Sequence, residues 1–123
     1  MQTWAKLYRM YFVSALDCPC SSVVNPLGQV VIRPWDHGPI LCASLNLDYV
    51  VIHCDYNAKK FPAIKSAYGA LVDIEYIAIE SAATVVSRHP ERTAEQIVAE
   101  FSLEREEDYY KRSAEIRRSK LLL

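Results

Sequence analysis

Cys18-Pro19-Cys20 places two thiols one residue apart, and thiolates are both the natural ligands of soft metals and the halves of a redox-active disulfide. A structural metal site takes about four ligands, however, and the other candidates, His37, His53 and Cys54, show no second paired spacing. The simpler reading is small free thiols, so no metal and no cofactor is expected. His53-Cys54-Asp55 sets a base, a nucleophile and an orienting carboxylate side by side. Working triads are gathered in space from separate positions, and neighbouring side chains point in different directions. These three are therefore predicted to be surface residues where a helix gives way to a loop. Glu75 and Glu80 are candidate paired carboxylates, but a spacing of five puts them on opposite faces of a strand, each solvated. Cys42 lies in an apolar run and is predicted to be core, and His89-Pro90 is predicted to be a loop. There is no Gly-rich phosphate loop, no His-rich metal helix and no Gly-x-Ser-x-Gly elbow, so motif alone assigns no catalytic residue.

The elements that would carry these residues follow from pattern and turn chemistry. Trp4, Leu7, Tyr8 and Tyr11 recur at helical spacing and then run into Tyr11-Phe12-Val13, which favours an extended chain. This predicts the tail of a helix, beginning in the middle of an element, followed by a strand over residues 10–16. Asn25-Pro26-Leu27-Gly28 has the make-up of a type I turn joining strands at 22–24 and 29–32. A second turn at Asp36-His37-Gly38-Pro39 leads to a third strand at 40–47, completing a β-meander. Asp48 is predicted to cap a short helix to about residue 51. Pro62 and Gly69 bracket a helix over 61–68. Val72, Ile74, Tyr76 and Ala78 alternate with acidic residues in a strand over 71–79, with a hairpin partner at 84–87. Thr93 and Gln96 form a capping box at the start of a helix on which Ile97 and Phe101 stack. Ser102 is predicted to start a second helix, acidic at its beginning and basic at its end, as the helix dipole favours.

At 123 residues there is room for one core, and 51% apolar with 24% charged residues is ordinary for a globular protein. A net charge of −1 gives no field to draw in a phosphate backbone, so no nucleic-acid partner is expected. No apolar run approaches the roughly 20 residues that span a bilayer, and the start lacks signal-peptide character. No membrane partner is expected, and the predicted location is cytoplasmic. Four cysteines, all in the first half of the chain, are too few for a secreted disulfide scaffold.

Tyr11-Phe12-Val13-Ser14-Ala15, then Ser21-Ser22-Val23-Val24-Asn25-Pro26-Leu27-Gly28-Gln29-Val30, then Gly38-Pro39-Ile40-Leu41-Cys42-Ala43-Ser44-Leu45-Asn46-Leu47-Asp48 resembles the later part of the nitrilase, or carbon–nitrogen hydrolase, superfamily. The stretch Asp55-Tyr56-Asn57-Ala58-Lys59-Lys60-Phe61-Pro62-Ala63-Ile64-Lys65, with Tyr68-Gly69 and the helical tail, resembles the C-terminal extension of some members. The resemblance implies an α+β chain that is a partial α-β-β-α sandwich, a β-meander followed by a C-terminal helical pair. It divides into a nitrilase-like β-rich segment with short helices, 1–92, and a helical extension, 93–123. In that family a cysteine thioester hydrolyses nitriles or amides with a glutamate base and a lysine. Those residues lie in segments before the part matched here, and Cys18 and Cys20 fall outside the nucleophile's motif. Trp4 and Tyr8 stand where relatives commonly carry Arg and Asn, and Pro19 and Cys20 where they carry His or Gly. The expectation is a C-terminal segment, inactive alone, that acts on a small nitrile or amide only when completed by an N-terminal half. The alternative is an oligomerisation or protein-binding module derived from that fold, a homo-oligomer.

Overall fold

The computed structural model describes residues 1–16, 20–34 and 40–121, and the chain divides into two compact units, Met1–Leu45 and Asn46–Leu123. Among the described residues the protein is mixed α+β, with two three-stranded antiparallel sheets and four α-helices. No helix of the described residues is long and apolar enough to cross a membrane.

In the first unit, helix α1 (Gln2–Tyr8) ends at Arg9, whose left-handed backbone (φ 50°) breaks the helix and releases the chain into strand β1 (Phe12–Ser14). Strands β2 (Ser22–Val24) and β3 (Val30–Ile32) continue a meander in the order β1-β2-β3. The turn between them is where its chemistry put it. The Gly28 amide donates to the Asn25 carbonyl at 2.8 Å, and the Asn25 side-chain oxygen accepts from the amides of Leu27 and Gln29. Gly28 has φ +79°, and a Cβ there would also meet the Lys6 side chain, so glycine is needed twice over. The turn is tied to α1 by Gln2, whose amide donates to the Gly28 carbonyl at 3.0 Å.

The second unit holds the larger core. Strands β4 (Tyr49–His53), β5 (Val72–Ile77) and β6 (Ala82–Ser87) form a sheet in the order β4-β6-β5. Helices α2 (Phe61–Tyr68) and α3 (Ala94–Glu100) bring Ile64, Ala94, Ile97 and Val98 against Val50, Ile52, Val72, Ala83 and Val85. Helix α4 (Glu106–Leu121) follows, acidic in its first turn and basic in its last as its charge order predicts. The capping box of α3 forms, with Thr93 Oγ1 accepting from the Gln96 amide and Gln96 Oε1 accepting from the Thr93 amide.

Three expectations are corrected. Residues 40–48 form no regular strand. The Asn46 side chain is engaged there, its oxygen accepting from the Asp48 amide at 2.9 Å while its side-chain amide donates to the Ser87 carbonyl at 2.7 Å. The helix expected after Asp48 is strand β4, because β-branched Val50, Val51 and Ile52 pair with β6 along its whole length. Asp48 does cap a helix, but a distant one: its carboxylate accepts from the Ala94 amide, 3.0 Å away, at the start of α3. The last helix starts at Glu106, not Ser102. Ser102 takes φ 50°, and the Leu103 amide reaches back to the Val98 carbonyl at 2.9 Å to close α3. The strand predicted over 71–79 spans Val72–Ile77, and its partner is longer than expected, Ala82–Ser87. The turn predicted at Asp36-His37-Gly38-Pro39 lies outside the described residues.

Candidate functional site

The densest cluster of chemically capable side chains stands where β4 ends. His53 and Cys54, predicted to be surface residues, are buried at 6% exposure each, while Asp55 turns out to solvent. The correction follows from the strand that replaced the expected helix, since its last residues enter the sheet and drag His53 and Cys54 inside. The Asp55 amide donates to His53 Nδ1 at 3.2 Å, so the neutral ring carries its proton on Nε2. The Tyr109 ring of α4 lies flat on the imidazole, centroids 3.6 Å apart and planes 5° from parallel. The Tyr109 hydroxyl donates to Asp55 Oδ2 at 2.7 Å, and this bond to a carboxylate raises its pKa above the ordinary phenol value. The Arg112 guanidinium also sits over the Tyr109 ring, 5.2 Å from its centre. Arg112 forks onto Glu104 through two bonds of 2.8 Å, which hold the Glu104 carboxyl below the usual range.

Asn57 is the staple beneath this stack. At 1% exposure, its amide donates to the carbonyls of His53 (2.6 Å) and Glu104 (2.8 Å), and its oxygen accepts from the Glu104 amide (3.1 Å). One side chain thereby joins the end of β4 to the segment leading into α4.

This arrangement fixes geometry and does not activate a nucleophile. Burial, with the neighbouring Asp55 and Glu106 carboxylates adding to it, pushes the Cys54 thiol up to about 11, so at neutral pH it stays protonated. His53 already uses Nδ1 on a backbone amide and holds a ring on its face. The three adjacent residues thus do separate work: a stacked imidazole, a core thiol, and a carboxylate that receives a tyrosine.

The other candidates are spread apart. Cys42, predicted to be core, is exposed, because the apolar run that holds it forms no strand. Cys20 is also exposed, and Cys18 and His37 lie outside the described residues. Glu75 is exposed on β5, and Glu80 ends the 3-10 turn Ala78–Glu80 that follows it. His89 is a loop residue whose Nδ1 accepts from the Glu91 amide at 3.1 Å, with the Tyr68 ring packed edge-on against it. No group of three or more metal-ligating side chains is assembled among the described residues. Sequence reasoning missed Tyr109 and Asn57; each acts on residues about 50 positions away, a distance at which no local pattern carries a signal. Set against known proteins, the chain matches no protein-family model, no curated protein and no solved structure.

Proposed function

We propose that this chain is the C-terminal segment of a carbon–nitrogen hydrolase, contributing part of an α-β-β-α sandwich to an enzyme whose glutamate, lysine and cysteine come from elsewhere. The observation that carries the reading is the apolar surface of the first unit. Trp4, Leu7 and Tyr8 on α1, Val13 on β1 and Val31 on β3 are each more than half exposed on a unit whose described residues form three short strands and the two-turn helix α1. A sheet layer in a sandwich has its apolar side covered by another layer, and a patch of this kind is what such a layer leaves open when separated from its cover. The resemblance around Asn25-Pro26-Leu27-Gly28 names the family; the exposed surface supports incompleteness. A cytoplasmic setting goes with the reading, supported by the free thiols of Cys20, Cys42 and Cys54.

The chain alone is expected to hydrolyse neither amides nor nitriles. Turnover of a simple aliphatic amide or nitrile by the purified chain, abolished by Cys18→Ala or Cys20→Ala, overturns the proposal. A second reading, an oligomerisation or protein-binding module, is favoured by α4, where every residue from Ala114 to Leu121 is exposed, Ile116 and Leu121 among them. Sedimentation decides it: a monomer at micromolar concentration that captures no second copy removes the homo-oligomer.

A further inference from the structure

We draw no further inference here: the strongest candidate, the groove between α2 and strand β5 lined by Phe61, Ile74 and Tyr76, carries nothing, because Asp73 on its wall is already paired with Arg88 and nothing in the structure shows what covers it.

Discussion

The two sheets are built to one plan and differ in what covers them. Each has three antiparallel strands with the central one, β2 or β6, buried along its whole length. The β4-β6-β5 sheet has strands of five and six residues and carries α2 and α3 over one face, so that Ile52, Ile64, Val72, Val85 and Ile97 are fully buried. Among the described residues, the β1-β2-β3 sheet has strands of three residues and the seven-residue helix α1, which bury Ala5, Val23, Val24 and Leu27 and leave Trp4, Leu7, Tyr8 and Val13 in solvent. The difference teaches that strand formation and completion of a core are separate achievements, since the second requires enough chain to make a covering layer.

That contrast can be broken by substitution. Ile52→Ala, which opens a cavity among fully buried neighbours, is expected to cost about 3–4 kcal/mol in urea unfolding, whereas Val31→Ala on exposed β3 should stay within about 0.5 kcal/mol. Equal costs would mean the first sheet is as well packed as the second. Asn57→Ala leaves the Glu104 amide and the carbonyls of His53 and Glu104 without this partner at a buried or partly buried site, and a loss of about 1–3 kcal/mol is expected by the same measurement.

Thiol chemistry sharpens the contrast through solvent access. Cys20 and Cys42 are exposed in the first unit, and Cys54 is buried in the second with its pKa pushed up to about 11. Alkylation at pH 8 followed by peptide mass mapping should show Cys54 reacting much more slowly than exposed Cys20, because Cys54 is buried and its raised pKa leaves it protonated. Comparable rates would mean that the end of β4 opens readily.

Smaller effects test the long-range ties of the second unit. Asp48→Ala removes a carboxylate from the first amide of α3 and should lower stability by about 1 kcal/mol, with Asp48→Asn recovering part of it. The Glu104 carboxyl, bonded by Arg112, has a folded pKa below its unfolded value. Its contribution is therefore present above the ordinary carboxylate pKa and disappears as pH falls through the lowered folded value. Stability measured against pH should fall less on the acid side in Glu104→Gln than in the parent, and an unchanged acid limb would remove that tie.

Legibility followed the range of the signal. The turn at Asn25-Pro26-Leu27-Gly28, the helix opened by Pro62 and closed by Gly69, and the Thr93 to Gln96 capping box were readable because each is decided within about four residues. Strand β4 was misread because Asp48 carries a real capping signal whose helix lies 46 residues further on. The candidate site was largely illegible: His53, Cys54 and Asp55 stood out as types, but their burial, the Tyr109 stack and the Asn57 staple depend on contacts that the order of residues does not display.

The amino-acid sequence by itself determined the α+β composition, the hairpin of the meander, the Pro62 to Gly69 helix, the Thr93 to Gln96 capping box and the charge order of α4, all of which rest on dihedral preference and short-range hydrogen bonding. Only the tertiary structure decided which strand Asp48 precedes, which cysteine is buried and which histidine is stacked. The reason is that burial and pairing depend on what the folded chain brings alongside a residue, and for β4, β5 and α4 that neighbour comes from far along the chain.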